Sequence, residues 1–115
     1  MDAGCIFCRI ANGEIPARMV HEEDDLVAFH DTDPKAPTHI LIIPRRHIVS
    51  VGALTDEDEA VAGKLLLAAR DIAKKENIAQ SGFRVVTNTG DDAGQSVAHL
   101  HVHVLGGRGM KWPPG

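Results

Sequence analysis

The sequence contains few aromatic side chains and no tyrosine. Three Phe and one Trp among 115 residues give an aromatic content of 3%. Proteins that bind single-stranded nucleic acid stack its bases on aromatic rings, so this composition argues against that function. The formal net charge of -4, from 12 basic and 16 acidic residues, also predicts no nucleic-acid partner held by bulk attraction. A local pocket for a small anion is compatible with this charge.

Long apolar runs and export signals are absent as well. No run approaches the roughly 20 apolar residues that a membrane-spanning helix needs. The N-terminus, Met-Asp-Ala-Gly-Cys, lacks the basic start and apolar stretch of a secretion signal. These absences predict a cytoplasmic protein without a membrane partner. The length suits one domain over residues 1–115, and 43% hydrophobic with 24% charged residues is typical of a globular fold.

The chain has two cysteines, Cys5 and Cys8. A disulfide between residues so close in sequence would remove little entropy from the unfolded chain. In a reducing compartment, a pair with this spacing favours metal binding. The alternative is that both are small buried thiols that fill space in the core.

Hydrophobic periodicity and turn residues predict an α+β fold, with an antiparallel sheet and helices on one face. The predicted elements are a short helix over residues 5–11, strands over 17–22, 26–31 and 39–44, a helix over about 56–76, and strands over 82–89 and 99–105. A Gly- and Asp-rich loop over residues 90–95 joins the last two strands.

The long helix has a start signal and a core face. Thr55 precedes three acidic residues, and its hydroxyl can cap backbone N–H groups while the carboxylates favour the positive end of the helix dipole. Four apolar residues recur at helical spacing, and we expect this face to pack in the core: Val61, Leu65, Ala68 and Ile72.

Three of the seven histidines alternate with aliphatic residues in His99-Leu100-His101-Val102-His103-Val104. Side chains of a strand alternate between its two faces, so the three imidazoles are expected on one face. They could be ordinary strand histidines, or the ligands of a zinc ion. Nucleophilic catalysis explains the pattern better, because a neutral imidazole with one nitrogen hydrogen-bonded keeps a lone pair that can attack phosphorus. His101, the middle ring, has a polar neighbour on each side to stabilise developing charge.

The run from His99 to Leu105 resembles the His-φ-His-φ-His-φ-φ signature of the histidine triad (HIT) superfamily, where φ is an apolar residue. The similarity extends through Phe29-His30-Asp31, Ala36-Pro37-Thr38-His39, Pro44 to Ile48, Gly94-Gln95-Ser96, and the tail from Gly106 to Gly115. The tail resembles the histidine triad nucleotide-binding protein branch.

The resemblance implies a five-stranded antiparallel sheet with a long helix and a short N-terminal helix, and a homodimer with a ten-stranded sheet. It also implies a phosphoramidase that cleaves the P–N bond of AMP or GMP phosphoramidates through a nucleotidyl-histidine. Hydrolysis of dinucleoside polyphosphates, a non-catalytic nucleotide-binding regulatory role and a metalloenzyme are the alternatives.

Site roles follow by position in the family pattern. His101 is implied as the nucleophile, supported by His103 and His39, oriented by His99, with Ser96 bonding the leaving group. Asp31 is implied to bind the ribose hydroxyls, although an Asp there also suits a turn cap. The residues expected to contact the phosphate are Asn88, Gln95, Ser96, His101 and His103. The residues expected to form an apolar slot for the base are Ile6, Phe7, Ile10, Phe29 and Leu41. For any one of these five apolar residues, core packing is an equal explanation.

Two further expectations come from the resemblance. Trp112 would reach the active site of the partner subunit, unless it packs on its own subunit. Cys5, Cys8, His47 and His99 match the structural zinc site of bacterial-type relatives. Eukaryotic-type members, whose tail the sequence shares, commonly lack the cysteine pair. The zinc would clamp the N-terminal segment to the sheet, and the chemistry itself would require no cofactor.

Overall fold

A computed structural model describes residues 4–115. The elements are α1 (Ile6–Ala11), β1 (Met19–Glu22), β2 (Leu26–His30), β3 (Thr38–Pro44), α2 (Glu59–Lys75), β4 (Phe83–Val86) and β5 (Val102–Gly106), with short 3-10 turns at Val51–Ala53 and Asp56–Asp58. The strands form a five-stranded antiparallel sheet in the order β1-β2-β3-β5-β4. The α+β class with one long and one short N-terminal helix is confirmed. None of the helices in the described chain has the length and apolar character needed to cross a membrane.

The two helices cover opposite faces of the sheet, so the prediction that they share one face is wrong. Leu65, Ala68 and Ile72 of α2 pack on one face with side chains such as Ile40 and Ile42. Phe7 and Cys8 of α1 pack on the other face with side chains such as Phe29 and Leu41. The physical reason is that residues 26–29 of β2 and 40–43 of β3 are consecutive apolar residues that are all buried, and such strands need cover on both sides.

The long helix begins and ends as capping chemistry requires. A 3-10 turn leads into α2, and the Thr55 main-chain N–H donates to the Asp58 carboxylate at 2.8 Å in a capping box. Asn77 follows the helix with a left-handed φ of 61°, and the Ile78 N–H donates to the Ala73 carbonyl at 2.9 Å. The predicted stripe faces the core, with Val61 only partly buried.

The segment that carries the alternating histidines begins its strand later than predicted, at Val102 instead of His99. Pairing with β3 ends at Ile42 opposite Val102. Beyond that register the chain uses other bonds, since the Leu100 N–H donates to the Ile48 carbonyl at 2.6 Å and the His99 ring reaches the Pro44 carbonyl. Similarly, the predicted strand over 82–89 shortens to Phe83–Val86, where pairing with β5 stops at His103.

Candidate active site

The three histidines lie on one side of the sheet, although only His103 lies within β5. Leu100, Val102 and Val104 pack in the α2 layer. The rings of His99 and His101 instead make edge contacts with Phe7 of α1, at centroid distances of 6.0 and 5.2 Å. His103 continues the row, 5.1 Å from the His101 ring centroid. The side chains from His99 to His103 thus keep the alternation of sides that a strand would give.

The hydrogen bond of His101 defines its tautomer. Its Nδ1–H donates to the main-chain carbonyl of His99 at 2.7 Å, and the ring is 4% exposed. In the neutral ring the other nitrogen, Nε2, is then unprotonated. His101 therefore presents a lone pair on Nε2.

A chain of hydrogen bonds defines the tautomers of His39 and His103. The Lys35 main-chain N–H donates to His39 Nδ1 at 3.0 Å, so the proton of neutral His39 lies on Nε2. That Nε2–H donates to His103 Nδ1 at 2.8 Å. His103 therefore carries its own proton on Nε2. The Asp31 carboxylate lies 3.4 Å from His39 Nε2 and adds a negative charge beside the chain.

The electrostatic environment keeps the rings of His39 and His103 neutral. Burial, reinforced by the neighbouring His101 and His39 rings, lowers the pKa of His103 to about 4, and Asp31 opposes the shift only in part. Burial also lowers the pKa of His39, again against Asp31. At neutral pH, His103 is a hydrogen-bond donor through Nε2–H and carries no charge.

An apolar cavity of about 620 Å³ opens beside His101 and His103. It brings together the five apolar residues expected at a base, Ile6, Phe7, Ile10, Phe29 and Leu41, with Asp31 and Ser96. Its wall also includes residues that the sequence did not single out, namely Ile15, Pro16, Ala17, Arg18, His30, Thr32, Pro34 and Val97. Most of these lie in loops beside α1 and β2, where no periodic pattern marks a cavity wall.

Asp31 has two contacts in this cavity. One carboxylate oxygen accepts the Asp33 main-chain N–H at 2.8 Å, as expected of a turn-capping Asp. The other oxygen is the one that faces His39. The turn cap and the position on the cavity wall are therefore found together, and each oxygen keeps acceptor capacity.

Three residues expected at the nucleotide lie outside this cavity. Gln95 braces its loop, since its side chain accepts the Gly90 N–H at 2.9 Å and donates to the Val49 carbonyl at 2.7 Å. Asn88 lines a second cavity, which shares His103 with the first. Trp112 is 82% exposed on its own chain and lines neither cavity.

The second cavity, of about 510 Å³, is basic. Its lining includes His39 and His103 together with four cationic side chains, Lys35, Arg84, Arg108 and Lys111. The sequence reasoning missed this group because the four positions are far apart along the chain and form no local charge run. Pairing of β4 with β5 and the return of the C-terminal tail bring them together.

A second cluster joins α1 to the sheet. Cys5, Cys8, His47 and His99 each offer one ligand atom, and these atoms lie within 4.8 Å of one another. Cys5 Sγ is 3.3 Å from His99 Nδ1, and Cys8 Sγ is 3.3 Å from His47 Nδ1. Neither cysteine forms a disulfide. The cysteines face one point because Cys5 is the N-cap of α1 and Cys8 lies three residues later, one turn along.

The donor set of this cluster fits a tetrahedral metal ion. His99 Nε2–H donates to the Pro44 carbonyl at 2.9 Å, which leaves the Nδ1 lone pair toward the cysteines. Two sulfur and two nitrogen donors are a typical structural zinc set, whose bond lengths imply S···N separations of about 3.5 Å. Burial lowers the pKa of His99, which favours the neutral, ligating form.

Asp31, His39 and His103 also offer three ligand atoms close together. The His39–His103 hydrogen bond at 2.8 Å, however, uses His39 Nε2 and His103 Nδ1, the nitrogens that face each other. His101 is not a member of either potential metal cluster found among the described residues. The geometry around His101 thus favours a free nucleophile over the alternative of a zinc ion held by the alternating histidines.

Known proteins resemble this chain closely. The family described as the HIT domain matches residues 12–110. An uncharacterized HIT-like protein of Synechocystis sp. is 47% identical over 110 residues, which cover 96% of both chains. A HIT family hydrolase from Legionella pneumophila has a TM-score of 0.95 and 46% identity, over 97% of this chain and 100% of the other. A histidine triad protein from Clostridium difficile has a TM-score of 0.94 and 42% identity, over 96% of both chains. The resemblance to the HIT superfamily noted in the sequence is confirmed, and the chain belongs to the HIT domain family.

Proposed function

We propose that the protein hydrolyses purine nucleoside 5'-phosphoramidates to a nucleoside monophosphate, AMP or GMP, and an amine. The observation that carries this proposal is the 2.7 Å hydrogen bond from His101 Nδ1–H to the His99 carbonyl. It leaves the Nε2 lone pair available for attack on phosphorus. Hydrolysis as the reaction type is supported by the Legionella pneumophila relative, a HIT family hydrolase.

The apolar cavity suits the nucleoside half of the substrate. Its aliphatic and aromatic wall provides a slot for a purine base, because small-molecule sites are mostly apolar with a few placed polar groups. Asp31 would accept hydrogen bonds from the ribose hydroxyls with the acceptor capacity left after its turn contact. The α-phosphate would then lie beside His101, His103 and Ser96, within reach of Asn88 from the basic cavity.

The reaction takes two steps. His101 Nε2 first bonds the α-phosphorus while the P–N bond breaks, and the departing nitrogen takes up one proton to leave as an amine. The Ser96 hydroxyl forms a hydrogen bond with the leaving group, and the His103 Nε2–H stabilises charge on the phosphoryl oxygens. Water then attacks the phosphorus, the bond to His101 breaks, and one proton returns to solvent. The sum is one water consumed, with one monophosphate and one amine formed.

Three residues act by position in this scheme. The His99 carbonyl holds the reactive tautomer of His101. His39 holds the tautomer of His103 through their 2.8 Å hydrogen bond. Gln95 braces the loop that precedes Ser96. Each of these contacts is already formed in the substrate-free protein, which supports a preorganised site.

We further propose that Cys5, Cys8, His47 and His99 bind zinc. With four protein donors no position remains open for substrate, so the ion would be structural. Its contribution would be to hold α1, which forms one wall of the apolar cavity, against the segments around His47 and His99. No reaction step requires it.

A homodimer with a ten-stranded sheet is also proposed. In the described chain β4 pairs only with β5, so its other edge is available to the same strand of a second copy. Four large apolar side chains are exposed on β4 and α2: Phe83, Val85, Leu66 and Leu67. Trp112 would extend from this dimer toward the partner's site. Light scattering should give the mass of two chains in solution, and a monomer would overturn the assembly.

We also propose that residues 1–115 form one domain and that the protein acts in the cytoplasm.

The test compares wild type with His101→Ala on adenosine 5'-phosphoramidate. Loss of the nucleophile should lower kcat by at least about 10³-fold, and mass spectrometry of quenched wild-type reactions should find the nucleotidyl adduct on His101. His21→Ala, which removes a histidine on the far edge strand β1, is the matched control and should retain activity. Equal rates for wild type and His101→Ala would overturn the proposal. Binding without turnover would favour the regulatory alternative, and faster turnover of diadenosine polyphosphates would favour the sister activity.

A further inference from the structure

The basic cavity has no role in the scheme above beyond the contact of Asn88 with phosphate. It shares His103 with the apolar cavity. The register pairs Val86 with His103 and Arg84 with Leu105, which places Arg84 on the same face of the sheet as His103. The two cavities therefore meet at the ring that would contact the transferred phosphoryl group.

The positive charges of this cavity are mostly not neutralised. Among residues 4–115, no carboxylate lies within 4.0 Å of the charged nitrogens of Arg84, Arg108 or Lys111. Of the four cations, Lys35 alone has such a partner within the described part of the chain, Asp33 at 2.5 Å. In a chain with a net charge of -4, three cations without a carboxylate partner among residues 4–115 surround one cavity and concentrate a positive potential that attracts anions.

Main-chain carbonyls hold the two guanidinium groups in place. Arg84 Nη2 donates to the Lys111 carbonyl at 2.9 Å. Arg108 donates through Nε to the Lys35 carbonyl at 3.0 Å and through Nη1 to the Gly109 carbonyl at 2.9 Å. A guanidinium has five N–H donors, so each arginine keeps donors for a further group. Carboxylates and phosphates are the groups that this planar fork matches best.

We propose that the basic cavity binds the leaving group and selects leaving groups that carry a negative charge beyond the scissile nitrogen. This inference rests on the proposed function, in which the nucleoside fills the apolar cavity and leaves the other side of the phosphoryl group for the amine. The shared chemistry is a carboxylate or a phosphate on the amine, contacted by Arg84, Arg108 and Lys111. Four cations in a cavity of about 510 Å³ suit a small anion and not a polyanionic chain.

The test uses three adenosine 5'-phosphoramidates with the same P–N bond. Their amines are β-alanine, which carries a carboxylate, β-alaninamide, its neutral isostere, and 2-aminoethyl phosphate. At low salt we expect kcat/KM for both anionic substrates to exceed that for the neutral one by about tenfold or more, with the ratio falling as salt screens the charges. The larger of the two ratios identifies carboxylate or phosphate as the preferred source. A ratio near one for both would overturn the inference.

Substitutions locate the effect. Arg84→Gln should lower the anionic-to-neutral ratio about fivefold, whereas Arg84→Lys, which keeps the charge but loses the planar fork, should give a ratio between those of Arg84→Gln and wild type. Arg70→Gln is the matched control, because it removes the same charge from the exposed surface of α2, and its ratio should equal that of wild type. An equal fall in both Gln variants would mean that only overall charge matters and would overturn the site.

Binding separates failure of this inference from failure of the proposed function. Absence of turnover with all three compounds would overturn the phosphoramidase, whatever the cavity binds. Calorimetry of His101→Ala with the β-alanine and β-alaninamide conjugates then still measures the preference, and we expect about tenfold tighter binding of the carboxylate. Equal affinities would overturn the basic cavity as an anion site.

Discussion

His39, His101 and His103 differ in the groups that bind their ring nitrogens. The His101 Nδ1–H donates a hydrogen bond to the carbonyl two residues earlier. His39, in contrast, accepts a hydrogen bond from the Lys35 N–H and donates one through its own Nε2–H to His103. Alternation along the sequence was enough to predict that the triad shares a side of the sheet. It could not predict the tautomers, because these depend on the turn before β3 and on a ring that arrives from another strand.

Burial of neutral His103 makes stability depend on pH. Its pKa is lowered to about 4 from 6.5, so between these values the unfolded chain binds more protons than the folded one. The free energy of unfolding therefore falls as pH falls through this window, and the contribution is complete above about pH 6.5. Because His103 is only half-buried, solvent screening reduces the effect, and we expect a loss of about 1–2 kcal/mol, measured by urea unfolding between pH 7 and 4.

The variant His103→Asn provides the control for this pH dependence. It removes the titrating ring while keeping a polar side chain beside His39. Its free energy of unfolding should vary less over the same window, although His39, whose pKa is also lowered, still contributes with the same sign. Identical pH slopes for the two proteins would contradict the assignment to His103.

At the scale of elements, the sequence predicted the middle of each strand better than its ends. The run of β3 was recognised from its β-branched residues, and the structure begins it one residue earlier, at Thr38. The start of β5 was wrong because it depends on where β3 stops offering ladder partners, at Ile42. The second helix-covered face was missed because α1, a six-residue helix, contains too few turns for its apolar periodicity to identify the surface it covers.

The contact between Gly106, at the end of β5, and Ile78, three residues after the end of α2, allows a stability test. A Cβ added at Gly106 would lie 2.6 Å from Cδ1 and 2.9 Å from Cβ of buried Ile78. Because Ile78 is packed against the sheet and cannot move away freely, Gly106→Ala should lower the free energy of unfolding by about 1–3 kcal/mol. Urea unfolding at constant pH measures the change.

Gly63→Ala is the matched control for the same substitution. Gly63 lies within α2, and a Cβ there meets nothing within 4 Å. Alanine is the better helix former, so this variant should gain about 0.5–1 kcal/mol. If Gly106→Ala were as stable as Gly63→Ala, the close packing of Ile78 on β5 would be refuted.

At the scale of the molecule, two different sites lie at the two ends of the row of histidines from His99 to His103. The basic cavity lies beside His103, and the cysteine cluster contains His99. The sequence allowed a local anion pocket in an acidic chain but could not place it, because Lys35, Arg84 and Lys111 meet only through the sheet topology. The cysteine cluster was predictable from the family pattern, since the cysteine spacing and the first histidine of the triad are both local features.

The cysteine cluster leads to a prediction about the whole molecule. Its four donors come from α1, from the segment after β3 and from the segment before β5, so one ion would hold together three parts of the chain. Protein purified under reducing conditions should contain about one zinc per chain. Structural zinc contributes directly to folding, and a loss of even 2–3 kcal/mol lowers Tm by roughly 10 °C or more for a chain of this size. Thermal unfolding with and without a chelator measures this shift.

A Cys5→Ala/Cys8→Ala double variant separates metal loss from other effects of the chelator. It lacks both sulfur donors, so its Tm should be lower than that of the zinc-loaded wild type and should not change when a chelator is added. Cobalt added to the metal-free wild type should produce thiolate absorption bands that the variant lacks. The His99 ring belongs to the cluster and the His99 carbonyl accepts the His101 Nδ1–H, so metal removal should also lower kcat to some extent. The metal-free protein should nevertheless keep measurable activity below its lowered Tm. A wild type that is metal-free as purified and has the same Tm with added zinc would instead establish the cysteines as buried thiols that fill space in the core.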